Sequence, residues 1–540
     1  MTDIHKICQT TGQPFVITTA EQQHIRKIET LHPLLKSGDI PLPEIHPLEL
    51  LRQMQSHVTL TTLFDSKSSI SGQAQITRYN PLLGYQICTA EEFWSDAVDN
   101  TSYGLTFDFS RTFASQWDEL LHRVIMQPLV QINCENSPYV DSCSRVKDCY
   151  MCFGMADSES CLYCIKSRYP LKSRDCVDCV GIVNCELCYS CIDCDNSYSC
   201  QHCQNCRNCQ DCFGSEDLVG CRYCFGCFGL RQTEYAIFNQ KVTAEVYQAF
   251  IKNAALEKYS SRQSQLQKCQ EFINGHAPIK SQVTHCENSS GNYLSHCKNA
   301  YQCFLGENLE DCGWSIGSSG KDCWRSEVYE GELSYNSAIL SGRLGFGNSI
   351  CTGSENFYSY MIFGSNSCFG SAMLKQKSYC ILNKQYTKSA YEDLVPRIIA
   401  HMKVTGEWGK FLPTQHAPHF YEESQAADWF EPLTPAQQQS RNYRQAKTQS
   451  LSSVTQKAED PLTLPETSTN LPIDQLLAMT LLCPITNKFY RFDRRELVFY
   501  SSQSIPLPRI HWQERLQRLL RYRRPALLSV SGSPATSDKN

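Results

Sequence analysis

Twenty cysteines between Cys134 and Cys227 are separated only by multiples of three residues, and this register limits the backbone more than any other feature of the chain. If the three phases were equally open, so long a run would arise by chance roughly once in a billion. The other register positions are Ser137, Val140, Val146, Met155, Ser158, Ser167, Pro170, Ser173, Ile182, Ser197, Ser215 and Leu218; none is charged or aromatic. A row confined to Cys, Ser and apolar side chains describes a narrow interior. An α-helix would smear such a stripe around its whole circumference, because each residue turns about 100°. A strand needs period two, a 3₁₀-helix rarely persists, and collagen-like packing needs dense Gly and Pro. A polygonal solenoid of short strands and corners remains.

Nine of the residues directly before these cysteines are Asn or Asp, for example Asn133, Asp148, Asp178, Asp193 and Asn205. Such side chains tolerate left-handed backbone, as corners require. A shift of 15 residues puts cysteine on cysteine in 13 of 17 cases, against 11 of 16 for 18 and 11 of 17 for 12, which favours coils of 15.

A second array, poorer in cysteine and rich in Gly, Ser, Asn and Tyr, runs from about 284 to 372. Both arrays end in related sequence: Leu230–Tyr247 aligns without gaps to Leu374–Tyr391. Thr243 and Thr387 stand where a helix N-cap belongs, followed by apolar residues at helical spacing, Val246, Tyr247, Phe250, Ile251 and Ala254, then Tyr391, Leu394, Val395, Ile398, Ile399 and Met402. The ends of the chain are related too, through C-x-x-T-x-x-x-[FY] from Cys8 and Cys483 and I-P-L-P-x-I-H-x-x-E-x-L from Ile40 and Ile505.

The fold class read from this is mainly β with α caps: two stacked-coil β-solenoid segments, each followed by a capping helix, plus small α/β terminal modules. The boundaries are a small N-terminal module over 1–60, an α+β connection over 61–130, and the cysteine-rich solenoid over 131–231. A capping region over 232–275, a second solenoid over 276–373 and a cap with extension over 374–432 follow. The chain closes with a flexible linker over 433–474, a basic module over 475–528 and a disordered tail over 529–540.

Lys plus Arg total 50 against 55 Asp plus Glu, so the chain is neither a basic nucleic-acid coat nor an acidic disordered tail. Mean hydropathy is −0.38 and no apolar run approaches bilayer length. The first 25 residues lack a secretory signal pattern, which predicts a cytoplasmic protein without a membrane partner.

The stretches Phe93–Asp96, Tyr103–Phe113, Lys172–Asn196 and His401–Phe411 resemble a family of cysteine-rich proteins encoded by candidate-phylum bacteria. The resemblance covers roughly residues 5 to 430 and the terminal module. It implies a cytosolic, zinc-associated protein. Some relatives carry a CaiB/BaiF-like, CoA-transferase label, for which this chain has no supporting residues. Relatives also pair C-x-x-C knuckles in the N-terminal module, whereas here Cys8 is followed by Thr11 and Cys88 by Thr89-Ala90-Glu91. The first module therefore reads as a degenerate zinc ribbon that has lost its metal.

Three fates compete for the thiol row: packing, metal binding, and disulfides, the last opposed by a reducing cytosol. The metal candidates are Cys176, Cys179, Cys185, Cys188, Cys191, Cys194, Cys200, Cys203, Cys206, Cys209 and Cys212. Zinc is the first cofactor considered, copper(I) or an iron–sulfur cluster less so, and no cofactor is an equal alternative. No catalytic motif is present, so no catalytic residue is assigned. His202 reads as a corner residue rather than a ligand, and His46 and His511 as capping or packing groups. Residues 481–528 hold nine Arg and one Lys against three acidic residues. That makes Arg515, Arg518, Arg521, Arg523 and Arg524 candidate contacts for nucleic acid or an acidic protein, against the plainer reading of a solvated basic helix.

The function expected is therefore a non-enzymatic scaffold, recognition or metal-storage protein. The alternative is an RNA- or partner-binding protein whose cysteines are core alone.

Overall fold

The computed structural model describes residues 1–59, 61–165, 172–277, 281–446 and 458–527, the side chains of 339, 340 and 524–527 excepted. The secondary structure is mixed rather than mainly β: the described residues form twelve α-helices and many short strands in small sheets. The chain divides into two compact units, one of residues 1–130, 280–447 and 524–540, the other of 131–279 and 448–523.

In the second unit, parallel bridges join every third residue to the one 12 positions later, from Val177↔Tyr189 through Tyr189↔Gln201 to Gln201↔Phe213. Every third residue from Asp175 to Tyr235 has positive φ. Each 12-residue rung therefore makes four three-residue steps, each with one left-handed corner. All nine Asn and Asp residues that precede cysteine occupy such corners, Asp178 at φ 54 and Asn205 at φ 53 among them. Tyr163, Leu187 and Tyr223 sit there as well, and they bear the steric cost that Asn, Asp and Gly relieve.

The rung length corrects the expected 15. Any multiple of three keeps cysteine in phase, so cysteine matches alone discriminate poorly. One step does span 15, from Glu159 to Arg174, and it inflated that count. Three of the apparent failures at 12 place Cys161, Cys185 and Cys203 beneath Ser173, Ser197 and Ser215, which do equivalent work.

The ladder also runs past the expected boundary at 231. Arg222–Phe225 pairs in parallel with Glu234–Ile237, which closes antiparallel on Gln240–Lys241. Thr243 then accepts from the Val246 amide and starts the helix Ala244–Ala254. A second helix, Tyr259–Asn274, follows. Val246, placed on the apolar face by its spacing, is 51% exposed.

The first unit holds the second array, whose offsets are 11 or 12. Its central strands lengthen to nine residues, Ile316–Trp324 and Glu327–Tyr335, within a seven-stranded sheet. It continues past 373 to Cys380–Ile381, paired with Lys384–Gln385, before Thr387 caps the helix Lys388–Val404. The expected linker is ordered where it is described. Arg441 pairs with Glu49 at 2.8 Å, and buried Tyr443 packs on Tyr421. Aromatic and apolar residues within a polar stretch supply that anchorage. Residues 447–457 and the expected tail, 529–540, lie outside the described residues.

The duplicated termini have one architecture. Cys8 N donates to Gln13 O and Gly12 N to Cys8 O; Cys483 N donates to Lys488 O and Asn487 N to Cys483 O. The same knuckle recurs at Ser68, which bonds Gln73 and Gly72 in this way, a third copy unseen in the sequence because serine replaces cysteine. His46 and His511 cap their helices, each Nδ1 accepting an amide at 3.1 Å.

Candidate functional site: a thiol-lined interior

Nineteen of the twenty register cysteines are buried; Cys134, at the end of the row, is half-buried. The described non-cysteine register residues are buried with them, Ser197 and Ser215 included. All 32 cysteines of the chain are free thiols.

A tightly turned rung forces some amides to point inward, where water cannot reach them. The thiols answer this need. Cys191 N donates to Cys179 Sγ at 3.5 Å, one rung back, and Met155 N to Cys143 Sγ at 3.4 Å. Where serine takes the position, its oxygen does the same: Cys209 N donates to Ser197 Oγ at 3.3 Å and Cys227 N to Ser215 Oγ at 3.0 Å. Most of these sulfurs also donate, a single S–H being shared between two carbonyls. Cys191 Sγ lies 3.5 Å from Tyr189 O and 3.3 Å from Cys200 O. A side chain with a donor–acceptor atom one carbon from the backbone bridges both demands, which favours Cys and Ser in a row that also admits Val, Met, Ile and Leu.

Among the eleven candidate ligands, nine reach two carbonyls in this way: Cys176, Cys179, Cys185, Cys188, Cys191, Cys194, Cys203, Cys206 and Cys212. Cys209 reaches one, and Cys200 is surrounded by Cys188, Cys203 and Cys212. Thiols touch along and around the rungs, as where Cys191 meets Cys179, Cys188, Cys194 and Cys203. Burial pushes the thiols of Cys164, Cys176 and Cys191 well above the ordinary range, whereas hydrogen bonds from neighbouring thiols hold Cys188 and Cys194 below it and, against burial, bring Cys179 down to about 7, so raised and lowered thiols share the row.

Zinc asks for about four ligands converging on a point, with thiolates rather than thiols. Among the described residues no group of three or more His, Cys, Asp or Glu is placed to hold a metal ion. The knuckles do not supply one either. Burial raises the Cys8 thiol, but the His46 amide and Thr11 hold it below its ordinary range, and His511 and Thr486 do the same for Cys483. The Cys8 and Cys483 knuckles have one sulfur each, and the Ser68 knuckle has none. His202 is half-buried between Tyr189 and Phe213, and its pKa is lowered first by desolvation and then by the Arg262 guanidinium.

The C-terminal basic helix, Trp512–Leu527, turns two of its candidate contact residues inward. Arg515 is 9% exposed and bonds Asp178 at 2.7 Å, with Glu496 at 3.6 Å. Arg523, 1% exposed, bonds Asp193 at 2.7 Å. Both carboxylates are corner residues of the array. Trp512 stacks on Tyr163 with ring centres 5.6 Å apart. As nucleic-acid contacts, Arg515 and Arg523 are therefore corrected to internal anchors, since a desolvated, paired guanidinium has no face left for a phosphate. Arg518 and Arg521 are about half exposed and pair with Glu514; the Arg524 side chain lies outside the described residues. Nothing in the sequence of the helix singles out these anchors, because their partners lie more than 300 residues away.

The first unit repeats the arrangement with other residues. Glu21, third in its helix after the Thr18 cap, is fully buried against Arg325 and accepts from Tyr335 Oη at 2.9 Å. Glu496, third after the Asp493 cap, accepts from Tyr163 Oη at 2.9 Å. No protein-family model, curated protein or solved structure matches the chain. No helix among the described residues is long and apolar enough to cross a membrane.

Proposed function

We propose that the chain is a non-enzymatic scaffold built on two β-solenoids, each with a terminal module docked along its side. The cysteines of the first solenoid serve as its hydrogen-bonding core. The observation that carries this reading is the engagement of the thiols by the backbone, sulfur accepting an inward amide and donating to carbonyls. The free thiols suit a reducing compartment, so the scaffold works in the cytosol. The rival use of the same row, storage of zinc or copper(I) as the family resemblance implies, would strip these protons and carbonyl bonds.

The test is elemental analysis of protein purified without added metal, with thiol titration before and after unfolding. The scaffold reading expects no stoichiometric metal, and thiols that react only on unfolding. One or more tightly held equivalents of zinc or copper would overturn it in favour of metal binding.

A further inference from the structure

The terminal module of the second unit meets the cysteine array through a buried charged cluster. Glu496, on the helix Arg494–Ser502, is 1% exposed. Its Oε1 accepts the Tyr163 hydroxyl at 2.9 Å and the Asp493 amide at 2.8 Å, and its Oε2 accepts the Tyr500 hydroxyl at 3.3 Å. Asp178, an array corner, is equally buried; its Oδ2 accepts from Arg515 Nε at 2.7 Å, while its Oδ1 has no hydrogen-bond partner. Arg515 is the cation that the two carboxylates share, 3.6 Å from Glu496.

The charges of the cluster do not balance. Among the described residues no second cation pairs with either carboxylate. The other groups that face Glu496 are Tyr150, Tyr163 and Tyr189 from the array and Tyr490 and Tyr500 from the module, all pushed up by burial and therefore neutral. Arg495 pairs with Asp493 at 2.8 Å, and burial holds His511, beside Arg515, down to about 4. Two carboxylates on one guanidinium, out of water, retain one proton between them.

At the corresponding place in the first unit the charges do balance. Glu21 stands where Glu496 does, its partner is the corner residue Arg325, and both are 0% exposed. Leu50 takes the position of Arg515 in the repeated motif.

We propose that Glu496, Asp178 and Arg515 form a proton-operated latch on the terminal module. With a proton shared between the carboxylates the module is clamped to the array. Loss of that proton between mildly acidic and neutral pH buries a net negative charge and lets the module lift, which frees Tyr163 from Trp512 and Tyr189 from Phe499. The latch rests on the docked module of the scaffold reading and is indifferent to what the thiols hold. Its sense follows from the burial that pushes the Glu496 carboxyl up to about 7. Lifting returns the group toward an ordinary 4.5 and releases its proton, so acid favours the clamp.

The test is hydrogen exchange of the full chain, read as protection factors across residues 512–523 from pH 5 to pH 8. Protection there is expected to fall on the order of 50- to 100-fold, the span supplied by a group moving between 4.5 and about 7. The helix Thr19–Leu31, which carries the balanced Glu21, should change by less than about threefold. Glu496→Gln should abolish the fall. If that protein does not fold, Asp178→Asn, which restores one carboxylate to one guanidinium, should cut the fall at least about fivefold. Flat protection in the unsubstituted chain, an undiminished fall in either variant, or a parallel fall at Thr19–Leu31 would overturn the latch. So would a segment unprotected at every pH, and that outcome alone would also remove the docked module.

Discussion

Replacing Cys179 separates a thiol that serves the backbone from one that serves a metal. Its sulfur accepts the Cys191 amide at 3.5 Å and donates toward Val177 O at 3.3 Å and Cys188 O at 3.6 Å, in a position that is 0% exposed. Cys179→Ala leaves that amide without an acceptor, which costs about 1–3 kcal/mol. The missing sulfur leaves a small void, adding about 1 kcal/mol. Cys179→Ser keeps a donor–acceptor atom at the same place, as Ser197 and Ser215 do naturally, and should cost about 1 kcal/mol or less. The expected gap between the two variants is therefore about 2 kcal/mol, or roughly thirtyfold in the unfolding constant. Urea unfolding of the full chain gives the gap. Fluorine NMR of fluorotryptophan-labelled protein would read Trp512, the one tryptophan of the second unit, and hydrogen exchange at Cys191 would report the orphaned amide. Equal loss in the two variants would refute the reasoning, since a metal site loses its ligand either way and an apolar plug should tolerate alanine better than serine.

Glu496 is fully buried, and burial pushes its carboxyl up to about 7 from an ordinary 4.5, against the pull of Arg515. The unfolded chain releases this proton first, so its contribution is complete below about pH 4.5 and is lost as pH rises toward 7, by about 3 kcal/mol. Glu496→Gln should flatten that part of the stability–pH curve; an unchanged slope would remove Glu496 as its source. Arg523→Ala takes the guanidinium away from the buried Asp193 carboxylate and should cost about 3–5 kcal/mol, read as early proteolysis within 458–527, whereas Arg518→Ala and Arg521→Ala should each change stability by no more than about 1 kcal/mol. In the second array Gly291 has φ 131, and a Cβ there would meet Cys303 O at 1.8 Å. Gly291→Ala should therefore lower the melting temperature of the first unit sharply, and a neutral result would mean the rungs can part without cost.

Much of this protein follows from local chemistry along the chain. The three-residue register determined that one row of side chains would be internal, because only Cys, Ser and apolar residues occupy it, and the Asn and Asp residues before it marked the left-handed corners. Thr243 and Thr387 set the helix starts, and the repeated I-P-L-P-x-I-H motif announced a repeated module whose histidine caps a helix. The tertiary structure decided what periodicity cannot. Rung length came from which residues pair across the stack, since every multiple of three preserves the phase. The choice of sulfur or hydroxyl over a methyl group came from inward amides that exist only once the rungs are stacked. The fate of the basic helix came from Asp178 and Asp193, corner carboxylates remote in sequence that desolvate Arg515 and Arg523, because a charge pattern states what a face can offer and only the fold supplies what it meets.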